Sequence, residues 1–343
     1  GLSTKIMPHN FVELIDASIS ILRGRGVKVY PDFPTGGIAD FSQYNDGHRG
    51  GKVKVRARIE QVDAKLLKIT EVPFATTTSS LIDSVIKANE KGKIKIKKIE
   101  DNTAEFVEIL IHLPAGVSPD KTIDALYAFS DCEISISPNA CIIKNDKPYF
   151  LTVSDILKQS TAHSLDLLKA ELEILLSEQQ ALWHFASLER IFIENKIYRD
   201  IEDCETWDAV IEAIHEGLKP HIKHLKEPVS DDDIIRLTEI KIKRISKFDL
   251  DKANENLKRI EDAIADLKNK LANLVDYAVD YFKGLKKKYK EGRSRKTEIR
   301  TFETIVASKV AIRNQKLYIN REEGFIGTSL RKDELVCECS DID

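Results

Sequence analysis

Four cations alternate with apolar residues in one short stretch, and this spacing is the clearest chemical signal in the chain. The cations are Lys52, Lys54, Arg56 and Arg58, and the residues between and after them are Val53, Val55, Ala57 and Ile59. Because strand side chains point alternately to opposite faces, a strand here would carry all four cations on one face and bury the other. Such a face could bind the phosphates of a polyanion. The same pattern is typical of an edge strand whose cations prevent aggregation, so the spacing alone leaves both interpretations open.

Charge is segregated along the chain, although the formal net charge is only −3 over 343 residues. Residues 283–300 hold nine cations and two anions, a net of +7, whereas 199–233 hold four cations and eleven anions, a net of −7. We therefore expect a basic surface and an acidic surface with different roles. The length predicts two or three domains, and a charged fraction of 32% favours long solvated helices.

No group of residues predicts a catalytic or metal site. His215, His221 and His224 lack the spacing of a zinc ligand set, and the acids 231–233 are better explained as the first turn of a helix. Gly50-Gly51-Lys52 is followed by a strand pattern where a phosphate loop needs a helix. The five scattered cysteines favour a reducing cytoplasm. No apolar run approaches the ~20 residues of a membrane span, and no signal peptide is visible.

The first part of the chain has the pattern of an α/β domain preceded by an amphipathic helix over 11–22. The predicted strands lie at 52–60, 65–71, 93–100 and 104–112, and the predicted helices follow Thr78 and Pro119. These elements together form a unit of about 120 residues, which is an ordinary domain size.

Two long helical patterns follow, and both carry apolar residues at coiled-coil spacing. The first starts at Thr152, which with Asp155 resembles a capping box, and the second runs without a break from Asp249. The predicted seam residues are Leu165, Leu168, Leu172, Leu175 and Leu182 in the first helix, and Leu257, Ile260, Ile264, Leu267, Leu271, Leu274, Ala278, Tyr281 and Leu285 in the second. We expect an antiparallel hairpin with a small domain at its tip, which returns the basic segment 283–300 to the strand 52–58.

The predicted tip domain, residues 199–248, contains a helix that is apolar on more than one face. Ser230 and Asp233 cap this helix. Its apolar residues are Ile234, Ile235, Leu237, Ile240 and Ile242. Such a surplus indicates an interface with a partner, so we predict a homodimer through the tip. After residue 301 the pattern turns to strands, with a predicted hairpin of Lys309–Arg313 and Lys316–Asn320.

Several blocks of sequence resemble the A subunit of bacterial type IIA DNA topoisomerases. The blocks are GLSTKIMPHNF at 1–11, YPDFPTGG at 30–37, GKVKVRARIE at 51–60, ITEVPF at 69–74 and RKTEI at 295–299. Their order and spacing are similar to the family over residues 1 to about 302. The insert 38–47 differs from the Gly- and Arg-rich version usual in gyrase and is more similar to topoisomerase IV of Bacteroides-like bacteria. The A subunit of gyrase is the alternative.

The resemblance implies an α+β multidomain fold in which an α/β tower domain joins a long antiparallel coiled coil with a small helical dimer gate at its tip. The implied divisions are a connecting helix segment at 1–30, the tower at 31–150, the arm at 151–198 and 249–300, the gate at 199–248 and the start of a β domain at 301–343.

The resemblance also implies a function, which is to hold one DNA duplex during ATP-dependent passage of a second duplex. The residues expected to bind the held duplex are Arg49, Lys52, Lys54, Arg56, Arg58, Lys286, Lys287, Arg293 and Arg295. The partners implied are double-stranded DNA, a second copy through the tip, and a B subunit in an A2B2 complex that carries ATP and Mg²⁺. This chain itself would hold no cofactor and no metal, and it would act in the bacterial cytoplasm on the nucleoid.

In the family, the cleaving tyrosine precedes the position of Gly1, so these residues are expected to be inactive alone. An alternative of another class is a non-enzymatic coiled-coil scaffold that organises chromosomes and dimerises through a hinge. A scaffold explains the arm and the tip, but it does not explain the turn at 30–37 or the basic strand.

Overall fold

The computed structural model describes residues 3–306, 310, 315–322, 324–327 and 334–339. The chain divides into two compact units, which we call unit 1 (Gly1–Ser160 with Phe282–Asp343) and unit 2 (Thr161–Tyr281). Helices and strands occur together in unit 1, as the sequence predicts for its α/β part. Among the described residues, no helix combines the length and the apolarity that crossing a membrane requires.

The helices of the described residues are α1 (Phe11–Leu22), α2 (Thr78–Glu90), α3 (Pro119–Phe129), α4 (Val153–Glu194), α5 (Trp207–Leu218), α6 (Asp231–Thr238), α7 (Ile242–Ser246), α8 (Leu250–Ala272) and α9 (Leu274–Tyr289). The strands are β1 (Ile38–Asp40), β2 (Val53–Arg56), β3 (Arg58–Asp63), β4 (Leu66–Glu71), β5 (Lys98–Asp101), β6 (Ile109–His112), β7 (Glu133–Ile136), β8 (Cys141–Lys144), β9 (Lys147–Phe150), β10 (Glu298–Ile299), β11 (Gln315–Asn320), β12 (Phe325–Gly327) and β13 (Glu334–Cys339).

The basic stretch begins in a four-stranded sheet of unit 1 with the order β10-β1-β2-β7. Val53 and Val55 are fully buried on one face of β2, as their alternation predicts. They pack with Phe33 and Ile136 in an apolar core beneath α1. Strand β10 pairs in parallel with β1, so the segment that follows α9 lies in the same sheet as the basic strand. The predicted return of residues 283–300 to this strand is therefore observed.

The predicted single strand over 52–60 is wrong, because the chain leaves the first sheet at Ala57. Ala57 is fully buried, and β3 starts a second sheet with the order β3-β4-β6-β5. Helices α2 and α3 contribute Leu81 and Leu126 to its core. The predicted strands at 93–100 and 104–112 are also shorter than expected, since only β5 and β6 form there. Arg58 thus belongs to a different sheet from Lys54 and Arg56.

In unit 2, α4 runs antiparallel to α8. The Trp183 indole donates to Glu261 over 2.9 Å, and Arg190 donates to Asn254 over the same distance. A lower residue number on one helix thus meets a higher one on the other. Beyond this pair, the end of α4 forms a compact apolar core with α5 and α6. That core includes Leu188, which is fully buried.

The predicted seam is wrong at three positions. Leu175, Leu182 and Tyr281 are 39%, 53% and 45% exposed. A straight α-helix drifts by about 20° per heptad relative to a strict seven-residue repeat, so the buried stripe moves to neighbouring positions. The second helix is also not continuous, because it breaks at Asn273 between α8 and α9.

Helix starts follow the predicted caps. Thr152 accepts from the Asp155 amide over 3.1 Å at the start of α4, and Ser230 and Asp233 form a reciprocal capping box at α6. Of the predicted terminal hairpin, Lys316–Asn320 lies within strand β11. Most of Lys309–Arg313 lies outside the described residues.

Candidate nucleic-acid interface

The loop between β1 and β2 is held tightly, and we call residues 41–52 the basic loop. Tyr44 is buried in its centre, and Asn45 and Asp46 adopt left-handed backbone conformations that these two residue types tolerate best. A Cβ at Gly51 would lie 2.3 Å from the Tyr44 carbonyl oxygen, and one at Gly47 would lie 2.6 Å from Val153. Only glycine fits at these two positions, so the loop has a defined shape.

Arg49 and Lys52 project from the basic loop into solvent. Both are exposed, and the described residues place no carboxylate within ion-pair distance of either side chain. The backbone beside them is fixed, since the Lys52 amide donates to Gln43 over 2.8 Å and the Gly51 amide to His48 over 3.0 Å. Two such cations on a fixed loop can donate to phosphate oxygens without first breaking an ion pair.

Lys54 and Arg56 instead face a carboxylate on the neighbouring strand. Glu133 of β7 accepts from the Arg56 guanidinium over 2.6 Å and lies 3.3 Å from the Lys54 ammonium. The guanidinium of Arg56 also lies 4.6 Å from the ring centre of Tyr127 and 4.1 Å from that of Phe302. The Arg56 side chain is only 13% exposed. Arg56 therefore acts as an internal contact that joins three segments of unit 1.

Arg58 is paired with two carboxylates. Glu71 and Glu298 each lie 3.0 Å from its guanidinium. Glu71 also accepts from the Gly37 amide, so the same carboxylate ties β4 to the turn at 30–37. A Cβ at Gly37 would lie 2.9 Å from the Arg56 carbonyl oxygen, and the φ of +82° at Gly37 requires glycine as well.

The turn at 30–37 and the segment 295–299 interlock, and we call this contact the clasp. Thr297 is buried, and its hydroxyl accepts from the Phe33 amide over 2.6 Å. Asp32 accepts from the amides of Lys296 and Thr297 over 3.0 and 2.9 Å and from the Asn10 side chain over 3.0 Å. Burial alone would raise the pKa of Asp32, but these hydrogen bonds lower it below its usual 3.8.

Two of the predicted DNA-binding cations in the clasp region pair with acids of α1. Arg295 donates to both oxygens of Glu13 and to the carbonyls of Tyr30 and Pro31. Lys286 lies 2.8 Å from Asp16. Lys286 thus joins the end of α9 to α1, and Arg295 joins α1 to the turn at 30–37.

Lys287 and Arg293 complete the predicted set, and both are exposed. The Arg293 guanidinium lies 5.4 Å from the ring centre of Phe11 and 5.7 Å from that of Tyr289. No carboxylate of the described residues forms an ion pair with Lys287 or Arg293. Within the described residues, four of the nine predicted cations thus lack a carboxylate partner, namely Arg49, Lys52, Lys287 and Arg293.

A partly buried polar cluster lies against the basic loop. The Tyr44 hydroxyl lies 3.4 Å from His9 Nε2, and Asp46 accepts from the Ser154 amide at the start of α4 over 3.2 Å. Burial lowers the pKa of His9 below 6.5, and nearby Arg295 lowers it further. Burial and the charge of Asp46 raise the pKa of Tyr44. The second Asp46 oxygen is buried without a hydrogen-bond partner among the described residues.

The five predicted interface residues of the tip have different environments. Ile234 and Leu237 are almost fully buried in the core of unit 2. A single copy of the chain therefore buries these two side chains without a partner. Ile240 packs against the same core, and Ile235 is half-buried. Ile242 is 83% exposed and is the most accessible of the five.

Tyr44 and Tyr127 are not activated as nucleophiles. Burial raises the pKa of Tyr127 to about 12, which is opposite to the activation that nucleophilic catalysis needs. Within the described part of the chain, no three His, Cys, Asp or Glu side chains form a group that could hold a metal ion.

Sequence reasoning missed the carboxylates Glu71, Glu133 and Glu298. Glu71 and Glu133 meet their cations through strand pairing, and Glu298 reaches Arg58 from another sheet, 240 residues along the chain. A signal was available for two of them, since Glu71 belongs to the block ITEVPF at 69–74 and Glu298 to the block RKTEI at 295–299, which resemble the topoisomerase family.

Comparisons with known proteins match nearly the whole chain. The model of the family described as the A subunit of DNA gyrase/topoisomerase IV matches residues 1–283. The A subunit of DNA topoisomerase 4 from Borreliella burgdorferi is 38% identical over 99% of this chain and 54% of its own length. The A subunit of DNA gyrase from Lawsonia intracellularis is 30% identical over 54% of this chain and 24% of its own length. The chain thus spans about half the length of the topoisomerase 4 relative, and the match covers about a quarter of the length of the gyrase relative.

Proposed function

The chain belongs to the family of DNA gyrase and topoisomerase IV A subunits, and from this premise we propose that it holds a DNA duplex through the basic loop. The observation that carries the proposal is the pair Arg49 and Lys52, two exposed cations without carboxylate partners among the described residues, on a loop whose glycines allow no other residue. Phosphate contacts of this kind supply sequence-independent binding. Lys287 and Arg293 add to the positive field, whereas Lys54, Arg56, Arg58, Lys286 and Arg295 mainly hold the protein together.

In the whole enzyme, the proposed activity is ATP-dependent passage of one duplex through another. Residues 31–150 serve as the tower that holds the first duplex, and the arm of residues 151–198 and 249–300 ends in a dimer gate at 199–248. The B subunit supplies the ATP and Mg²⁺ sites of an A2B2 complex in the bacterial cytoplasm. We expect these 343 residues to be inactive alone, because burial raises rather than lowers the pKa of Tyr44 and Tyr127. The scaffold alternative is not favoured, because it would not account for the family match over residues 1–283.

The test is duplex binding by this chain at several salt concentrations, followed by fluorescence anisotropy. Replacing Arg49 and Lys52 together by alanine should lower the slope of log K against log salt by about two units. The matched control replaces Lys95 and Lys97, two exposed lysines before β5, and should leave the slope unchanged. An equal loss in both double variants, or no loss in either, would refute a specific role for the basic loop.

A further inference from the structure

A cavity of about 420 Å³ lies within unit 2, where helices α4 and α8 meet the segment 224–227. Trp183 of α4 and Ile264 and Ala265 of α8 form its apolar walls. Small-molecule sites have volumes of this order, and they combine apolar walls with a few polar groups. None of the residues to which we assign DNA binding or a dimer contact lines this cavity, so those roles do not account for it.

A buried imidazole lines the cavity and lacks a hydrogen-bond partner. His184 of α4 is only 7% exposed, and neither of its ring nitrogens forms a hydrogen bond within the described residues. Its Nε2 lies 3.4 Å from a carboxylate oxygen of Asp233, but without the geometry of a hydrogen bond. Because folded proteins rarely leave a buried polar group unsatisfied, the His184 ring is placed to bind a polar atom of a ligand.

Two exposed lysines of the lining, Lys226 and Lys268, carry positive charge at the cavity, and we call them the rim lysines. Neither pairs with a carboxylate within the described residues. The Lys226 ammonium lies 5.7 Å from the ring centre of Trp183, which places it beside an apolar wall. Of the two acids in the lining, Glu261 already accepts from the Trp183 indole over 2.9 Å, which leaves Glu227. The unpaired lysines thus outnumber the unpaired acid, which favours an anionic ligand.

We propose that this cavity binds a small aromatic anion, that is, a planar ring system with one negatively charged group. The ring system packs against Trp183 and Ile264, and the charged group contacts the rim lysines. His184 forms a hydrogen bond with a polar atom of the ligand. Burial of the ring supplies most of the affinity, and the few polar contacts fix its orientation. Binding requires no DNA, so the inference is independent of the proposed function.

The experiment uses the whole chain with two probes that share one aromatic ring system. The probe 8-anilinonaphthalene-1-sulfonate carries one negative charge, whereas N-phenyl-1-naphthylamine carries none, and the fluorescence of both rises in apolar surroundings. Titration of each probe gives its dissociation constant. Nuclear magnetic resonance of the histidine side chains follows His184, whose signals are assigned through their loss in His184→Gln.

Two variants change the cavity, and each has a matched control in unit 2. The first replaces both rim lysines by alanine, and its control replaces Lys243 and Lys258, which are exposed and do not line the cavity. The second is Ala265→Phe, which adds a ring at the cavity wall. Its control is Ala272→Phe, at an exposed position of the same helix outside the lining. Circular dichroism of each variant checks that it folds.

We expect wild type and both controls to bind the sulfonate probe more tightly than the neutral probe. Loss of the rim lysines should weaken sulfonate binding about ten-fold, because charge-assisted contacts are lost, and should leave binding of the neutral probe unchanged. Ala265→Phe should weaken the binding of both probes. The His184 signals of wild type should shift when the sulfonate probe is added.

Three outcomes would overturn the inference. If wild type binds the two probes equally well, or binds neither, the cavity does not select an aromatic anion. If the rim-lysine variant binds the sulfonate probe like wild type, or its control shows an equal loss, the charge at the cavity is not the cause. If Ala265→Phe binds like wild type and the His184 signals do not shift, the probe binds elsewhere.

Discussion

Replacing Arg56 by alanine should destabilise unit 1 and should have little direct effect on DNA binding. The change removes a guanidinium that pairs with Glu133 and lies over the rings of Tyr127 and Phe302. Removing one partner of a buried ion pair costs about 3–5 kcal/mol, and each cation–π contact adds about 0.5–2 kcal/mol. Glu133 keeps Lys54 at 3.3 Å, which offsets part of the loss. We therefore expect a decrease of about 3 kcal/mol in the free energy of unfolding.

The chain offers an internal control for this measurement. Its two tryptophans, Trp183 and Trp207, both lie in unit 2, so tryptophan fluorescence follows the unfolding of unit 2. Hydrogen exchange of the β2 and β7 amides follows unit 1. For a unit of this size, a loss of about 3 kcal/mol corresponds to a decrease of about 6–12 °C in the midpoint of thermal unfolding. The tryptophan transition should not move.

Two further variants separate charge from stacking and packing. Arg56→Lys keeps the charge but loses the planar group that covers the rings, so it should lose about half as much stability. Lys52→Ala, at an exposed site, should change the free energy of unfolding by less than about 0.5 kcal/mol. If Arg56→Ala unfolds like wild type and binds DNA more weakly, Arg56 faces DNA as the strand pattern suggests, and our assignment of an internal role is wrong.

Three other predictions follow from the same contacts. Gly37→Ala should destabilise unit 1 by about 1–3 kcal/mol, because it places a Cβ against the Arg56 carbonyl in a left-handed conformation; unchanged exchange of β2 amides would contradict this. Burial lowers the pKa of His9 from its ordinary value of 6.5, so the neutral His9 contributes fully to stability above that pH and the contribution is lost as the pH falls below it. In urea unfolding, the free energy of unfolding of His9→Gln should therefore fall less than that of wild type between about pH 7 and pH 5. An equal fall in the two proteins would exclude His9 as the cause. Ile242→Asp should weaken self-association in sedimentation because Ile242 is 83% exposed, whereas Ile174→Asp should not; equal effects would argue against an interface at the tip.

Local patterns predicted local structure well. Alternation identified the buried side of β2, and the caps at Thr152 and Ser230 identified where two helices start. These features depend on neighbours within about four residues along the chain. The sequence also predicted the fold class, which mixes helices and strands, and the protein family. Both depend on blocks of sequence that follow one another in a fixed order.

The candidate site was harder to predict, because its charges are set by residues far apart in sequence. Glu133 lies 77 residues from Arg56, and Glu298 lies 240 residues from Arg58. Pairing of β2 with β7 brings Glu133 to Arg56, whereas Glu298 reaches Arg58 from a different sheet, and the pattern of residues 52–59 contains no information about either contact. The predicted seam of the long helices was wrong at three positions for a geometric reason. A seven-residue repeat and a helix of about 3.6 residues per turn drift apart as the helix becomes longer.

The clasp has a consequence for the order in which the protein can fold during synthesis. Phe33 and Thr297 are 264 residues apart, and closing a flexible loop of that length costs about 5 kcal/mol. Until the ribosome has released Thr297, β10 is missing and β1 is an exposed edge strand that other nascent chains could pair with. Unit 2 is continuous in sequence and can fold earlier. The two-residue strand β10 is synthesised long after β1, β2 and β7, and it covers the edge of the sheet that these three strands form.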